Sequence, residues 1–420
     1  MWLMPDATVS RVPLAALSWG ALGPALVVGA VAVLLAVHVW AWLRRGPGAL
    51  AGQRITKAGV AFSLLTLAIA VVALHTKINF LVLLFGMLLS GLLLSFVLSR
   101  TTMARLSFER RVPSGVHAGA AFTMELRATN GKRRLSSYGL AVRDVLPPEV
   151  AAERPGGVVL GLRPGETATL SYAATAQRRG VWELGSVGFT TRFPFGLFHQ
   201  GRVRPAPGEL VVWPQMGEVA PGWLGRVQAV ALSRSQSHAA RGEEEFRNLR
   251  EYRHGDNPRR IHWKTSAKFG QPLVKEMEAV VSERVLVVLD TRAEASGEEA
   301  LELAVSFAAS LARDLMLRGF LVSLAAYAPD LVVTSPTKGS AGFYALLEVL
   351  ARLEPDPRRS LAELVAEPAL RAQDHVLTVA ALRHADDDAA AALRALESRR
   401  APVMAADASS PAFSEVFQLM

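Results

Sequence analysis

The residues best equipped for chemistry crowd into one stretch of the 420-residue chain, Glu245 to Glu278 (EFRNLREYRHGDNPRRIHWKTSAKFGQPLVKEME). There Arg247, Arg250, Arg253, Arg259, Arg260, Lys264 and Lys268 surround Tyr252, Asp256 and Trp263. A lone carboxylate among guanidiniums is suited to bidentate ion pairing, and a carboxylate just ahead of a helix accepts backbone N–H groups. Asn257 followed by Pro258 reads as a helix cap and first helical residue, and Gly270 as the stop, so a short helix is expected over Arg259–Phe269. The cluster has four readings: an Arg/Asp/Trp network that pins a loop, a docking surface for a partner, a hydrolase or transferase site built on His254, Asp256 and His262, and a nucleic-acid surface. No activated nucleophile or paired general base is visible, which weighs against catalysis. His254 and His262 are eight residues apart, not a ligand spacing on one helix.

Other chemistries are excluded outright. There is no cysteine, so disulfides, thiolate metal sites and thiol nucleophiles are absent. No phosphate-binding P-loop, dinucleotide glycine fingerprint, HExxH or GxSxG occurs. The net charge is +9, but residues 1–100 carry +6 of it. The remainder holds 39 basic and 36 acidic residues, and so near-neutral a region argues against nucleic acid.

The cluster must be held by folded elements. Beyond it, Val285–Leu289 reads as a buried strand ending in the carboxylate of Asp290. Glu298–Arg318 reads as a helix stopped by Gly319, Phe320–Tyr327 as a strand, Ala341–Leu353 as a helix, His375–Ala381 as a strand, Asp386–Arg399 as a helix and Pro402–Ala405 as a last strand. This alternation predicts an α/β domain over 241–420, with a parallel sheet covered on both faces. From 105 to 214 the period is two: Phe122, Met124 and Leu126 alternate with Thr123, Glu125 and Arg127, and Leu140 and Val142 with Ala141 and Arg143. Asn130-Gly131, Pro147-Pro148, Gly156-Gly157 and Arg163-Pro164-Gly165 break the runs, the pattern of an Ig-like β-sandwich. Residues 215–240, with Ser233, Ser235 and Ser237, are expected to be a polar linker.

Hydrophobic residues make up 51% of the chain against 20% charged, with a mean hydropathy of +0.26. Residues 1–104 are expected to hold three transmembrane helices, at about 20–43, 58–74 and 78–99, because about 20 apolar residues cross a bilayer core. Arg44, Arg45, Arg54 and Lys57 follow the first span, and Arg100, Arg105, Arg110 and Arg111 the third, which assigns both flanks and everything beyond to the cytoplasm. A cleaved signal peptide is the alternative for the first span.

Several motifs in order then resemble the bacterial membrane family of domain of unknown function fifty-eight. They are Leu249-Arg250-Glu251-Tyr252, Gly255-Asp256, Pro258-Arg259-Arg260-Ile261, Trp263-Lys264 and Leu273-Val274-Lys275-Glu276, preceded by Arg179-Gly180-Val181-Trp182, Pro194-Phe195-Gly196-Leu197-Phe198 and Val212-Trp213-Pro214. The resemblance runs from about residue 58 onward. It implies a von Willebrand factor A-like (Rossmann-type) C-terminal domain, no established catalytic activity, and work alongside MoxR-type AAA+ ATPases and transglutaminase-like membrane proteins. In metal-binding A domains the first strand ends in Asp-x-Ser-x-Ser, whereas this chain has Asp290-Thr291-Arg292-Ala293-Glu294. Arg292 in place of the first serine puts a cation where a metal would sit, so the site reads as degenerate, with Asp290 paired to Arg292 or capping a turn.

The expectation is therefore a membrane-anchored, non-enzymatic adaptor in the bacterial inner membrane, needing no cofactor. Its preferred interface is Arg250, Tyr252, Gly255, Asp256, Arg259, Arg260, Trp263 and Lys264. A hydrolase or transferase and a metal-dependent adhesion module are the alternatives.

Overall fold

A computed structural model describes residue 29 and residues 52–76, 78–240, 244–253, 255–279, 284–292, 298–328, 330–356, 358–371, 375–397 and 401–419. The expected first span and His254 lie outside the described residues. The chain divides into two units, one of residues 1–113, 121–174 and 183–209, the other of 114–120, 175–182 and 210–420.

In the first unit a short strand, β1 (Gly52–Ile55), leads into helices α1 (Lys57–Thr76) and α2 (Asn79–Thr102). Both helices are long and apolar enough to cross a membrane. The second expected span, read as near the short limit, extends to 20 residues. The helices bury small and polar residues, Ser63, Thr66, Ala70 and Ala73 of α1 and Ser95 and Ser99 of α2, which lets backbones approach closely. Thr66 Oγ1 donates to Phe62 O and Ser99 Oγ to Phe96 O, which satisfies those hydroxyls locally. Leu64, Leu65, Phe80, Leu83 and Met87 face outward.

The period-two region forms two sheets. One runs β2 (Leu106–Arg111), β4 (Ala121–Asn130), β8 (Thr167–Ala176), β6 (Val150–Ala151). The other runs β1, β10 (Phe198–Trp213), β9 (Gly180–Thr191), β5 (Ser137–Asp144), β7 (Gly156–Leu162), with β3 (Val116–His117) also paired to β10. The alternation expected from sequence appears as burial: Met124, Leu126, Leu140 and Val142 point inward, Thr123, Ala141 and Arg143 outward. Phe108 of the first sheet meets Phe189 of the second at 4.7 Å between ring centroids. Between the same sheets Arg110 forms a buried ion pair with Asp144, which also accepts from Tyr172 Oη at 2.6 Å. Burial and that carboxylate push the Tyr172 phenol up.

Both helix ends nearest the sheets are fixed. Thr56 Oγ1 donates to Gly196 O at 2.6 Å and accepts from Gly59 N at 3.0 Å, capping α1 against the apolar Phe193–Phe198 loop. A Cβ on Gly59 would lie 2.2 Å from Leu197 O, so only glycine permits this approach. At the other helix, buried Lys132 donates from Nζ to Thr101 O and Thr102 O, both at 2.9 Å, and to Ser137 Oγ at 2.5 Å. Ser137 Oγ donates in turn to Thr102 O, so the last carbonyls of α2 have partners from β5 and from the loop that precedes it.

The second unit centres on a five-stranded sheet in the order β16 (Asp330–Val333), β15 (Leu321–Ala328), β14 (Arg284–Leu289), β17 (Leu377–Leu382), β18 (Val403–Asp407). All neighbours are parallel except β15 and β16. Val285, Val287 and Leu289 face a core shared with α5 (Glu298–Leu317) and α6 (Gly339–Arg352). Leu286 and Val288 face the other way, onto α7 (Leu361–Ala366), α8 (Pro368–Arg371) and α9 (Asp387–Glu397). The expected linker is structured: β11 (Gly217–Val219) pairs with β19 (Phe417–Leu419), and Pro221–Ala240 is helix α3. Trp223, Leu224, Val227 and Ala231 recur at helical spacing and are buried in the same core, while the serines that suggested a linker sit on the helix's later turns.

Candidate functional site

The arginine-rich stretch is a hairpin of β12 (Glu244–Glu251) and β13 (Leu273–Ala279) with its connection folded over as a 3₁₀ turn, Pro258–Arg260, and helix α4 (Trp263–Phe269). The single helix expected over Arg259–Phe269 is therefore split at Ile261 and His262. Asn257 caps the 3₁₀ turn by accepting from Arg259 N at 3.0 Å. His262 caps α4: its Nδ1 accepts from Thr265 N at 3.3 Å and lies 2.8 Å from Thr265 Oγ1. Gly270 ends the helix with a left-handed φ of 70°, as the sequence indicated. Ser266 Oγ joins helix to strand, donating to His262 O and accepting from Leu273 N at 2.8 Å.

Asp256 is the hub of the loop. It receives Arg250 Nη1 at 2.7 Å and Nη2 at 2.6 Å on its two oxygens, and the Arg253 N–H at 2.8 Å. The Arg250 guanidinium, with that N–H, holds the Asp256 carboxyl down at about 2. Gly255, at φ 106°, permits the turn between them. His262 and Asp256 bond to different partners, so the described members of the supposed catalytic set are each occupied in holding local structure.

What remains outward is apolar and basic. Trp263 is 69% and Phe269 65% exposed. Arg259, Lys264 and Lys268 are exposed beside them. Tyr252, Ile261, Trp263, Ala267 and Pro272 line a shallow depression of about 600 Å³. Arg250, Gly255 and Asp256 thus build the loop, and Arg259, Trp263 and Lys264 supply its surface.

Asp290 sits at the C-terminal end of β14, between the neighbours β15 and β17, where open α/β sheets form a crevice. It is buried, and burial raises its carboxyl to about 6 against the pull of the Arg292 N–H, the Arg383 charge and the Arg383 N–H. The expected pairing with the Arg292 side chain does not form. The backbone N–H of Arg292 donates to Asp290 at 3.1 Å, while its guanidinium lies 3.8 Å from Asp386 and from Asp388. Asp290 is thus a turn cap, and Glu294 lies outside the described residues. Among the described residues no group of three or more His, Cys, Asp or Glu side chains is arranged to hold a metal ion.

Sequence reasoning missed the role of Arg179. Its buried guanidinium donates to Leu350 O at 3.0 Å and Leu353 O at 2.9 Å, closing the end of α6, and pairs with Glu302. The Arg179-Gly180-Val181-Trp182 motif pointed to the place, but an arginine that serves another helix's carbonyls has no local signature.

Residues 248–412 match the family model described as protein of unknown function DUF58, which supports the resemblance to that family. No curated protein matches the sequence. Among solved structures, a protein of unknown function from Porphyromonas gingivalis W83 is 13% identical over 28% of this chain and 56% of that one, with a TM-score of 0.19. The VesB protease of Vibrio cholerae is 13% identical over 29% of this chain and 35% of that one, with a TM-score of 0.16. The chain therefore spans little more than half of the first structure and about a third of the second, at scores too low to indicate a common fold.

Proposed function

We propose that the protein is a membrane-anchored, non-enzymatic adaptor whose β12–β13 hairpin is a docking surface for another protein. The observation that carries this is the exposure of Trp263 and Phe269 beside Arg259, Lys264 and Lys268, while Asp256 is spent on Arg250. Tryptophan and arginine together are the residues most often dominant in protein interfaces. In this reading α1 and α2 span the bacterial inner membrane. The flanking Lys57, Arg100 and Arg105 hold the rest of the chain in the cytoplasm. The two sheets after α2 form an Ig-like sandwich and the five-stranded sheet belongs to an A-like domain without a working metal site. A MoxR-type AAA+ ATPase and a transglutaminase-like membrane protein are the partners to seek, in assembly or maturation of envelope complexes.

The test is affinity purification of the full chain from detergent extracts, comparing wild type with Arg259→Glu/Arg260→Glu and with Trp263→Ala. Loss of the same co-purifying proteins from both folded variants supports docking through this face. An unchanged set of partners refutes it.

A further inference from the structure

Where the sheet meets the helical hairpin, a buried imidazole nitrogen has no hydrogen-bond partner among the described residues. In the antiparallel pair of β1 and β10, Gln53 lies opposite Gln200 and Arg54 opposite His199. Strand alternation puts Arg54 and His199 on one face, and Gln53 and Gln200 on the other with Ile55 and Phe198. The latter face is apolar, for Ile55, Leu197 and Phe198 pack there with Leu92 of α2. His199 Nδ1, Gln53 Nε2 and Gln200 Nε2 are all buried without a hydrogen-bond partner, and Gln200 is only 6% exposed. Native proteins leave few buried polar groups unsatisfied; the two glutamines face the apolar side, and it is the His199 nitrogen, on the face of Arg54, that calls for a partner.

The charge around His199 identifies the partner's sign. Burial first, then Arg192 and Arg54, hold its imidazole below the usual histidine range. Arg192 is exposed and opens a tight turn, closed where Gly196 N donates to Arg192 O at 2.8 Å. The same turn caps α1 through Thr56, and carries Phe195, 59% exposed, at its tip. Lys57 begins α1, and Arg100 lies in the last turn of α2, at the same end of the hairpin. If α1 enters a bilayer at its first turn, this ring of cations and one aromatic ring stand at headgroup depth.

We propose that Arg54, Arg192 and His199 bind the phosphate of an anionic phospholipid, with Phe195 seated among the neighbouring headgroups. Two guanidiniums supply charge-assisted donors to the phosphate oxygens, and the neutral imidazole donates through Nδ1. The inference rests on the membrane-anchored reading of the hairpin.

Its test is reconstitution of the full chain in nanodiscs of phosphatidylcholine with a minor share of phosphatidylglycerol, followed by native mass spectrometry of retained lipid. Arg54→Gln/Arg192→Gln should lower the preference for phosphatidylglycerol about thirtyfold, at ~fivefold for each basic residue near the surface. Arg54→Lys/Arg192→Lys should keep most of it, as should Arg318→Gln/Arg358→Gln in the second unit. Circular dichroism and melting of each variant separate lost binding from lost folding. Equal retention by wild type and a folded double glutamine variant overturns the site. Release of the lipid by millimolar inorganic phosphate overturns the commitment to a lipid ligand. Carbonate extraction of the wild-type chain from membranes is the separate control: a chain that washes off removes the anchored reading itself, and the lipid site with it.

Discussion

Replacing Asp290 by Asn removes a buried charge while leaving an oxygen to accept the Arg292 and Arg383 N–H groups. In the folded protein this carboxyl titrates at about 6, against an ordinary value of 3.8. A raised folded value means that the folded state binds the proton more tightly than the unfolded one. The associated stability is therefore fully present below about pH 3.8 and lost as pH rises through about 6. At about 1.4 kcal/mol per pH unit, the loss across that window is roughly 3 kcal/mol. Asp290→Asn has no such loss, so its stability relative to wild type should climb between about pH 4 and pH 7 by up to that amount. The new amide hydrogens offset part of the gain at every pH equally, which is why the slope, not the absolute value, is the readout. Urea unfolding of the full chain in detergent, followed by tryptophan fluorescence, reports on this unit through Trp223, which packs against Phe307 in its core. Parallel pH profiles for the two proteins would refute the claim that burial raises the Asp290 carboxyl.

Lys132→Met should destabilise the protein by about 3 kcal/mol in the same assay, because it leaves Thr101 O and its share of Thr102 O without a charged donor; an effect within about 0.5 kcal/mol, the scale of an ordinary surface substitution, would show the clamp to be dispensable. Asp256→Ala should free the 250–256 loop, measured as faster hydrogen exchange at the Arg253 amide, with no change in the five-stranded sheet. Since the wild-type carboxyl titrates at about 2, that protection should survive acidification well below the usual carboxylate range, and its loss near pH 4 would contradict the Arg250 pairing.

The elements most legible in the sequence were those whose pattern is local. The alternation of Met124 and Leu126 with Thr123 and Glu125, and the continuous run Val285–Leu289, reported one-sided and two-sided burial directly. Asn257 and Gly270 marked their caps because those conformations favour the residues themselves. Helix α3 escaped because its serines masked a helical spacing, Trp223, Leu224, Val227, Ala231, that was there to be counted. Lys132 could not have been found: it stands beside Arg133 and Arg134, both exposed, and only the position of α2 distinguishes it. The candidate site was legible as a place, since the motif residues Arg250, Asp256 and Trp263 do come together, but their division into internal and outward-facing groups depended on which guanidinium reached Asp256.

The Lys132 clamp also decides how the first unit can move. A body hung on a slack tether samples every orientation beneath its anchor, whereas here the final turn of α2 is welded to β5 through Ser137 and to Lys132. If the helical pair spans a bilayer, a lean that it adopts to suit a thinner or thicker one is passed through these bonds to the sheets, as a lever passes rotation. In the membrane-anchored reading, lipid composition would then set the angle at which those sheets are presented.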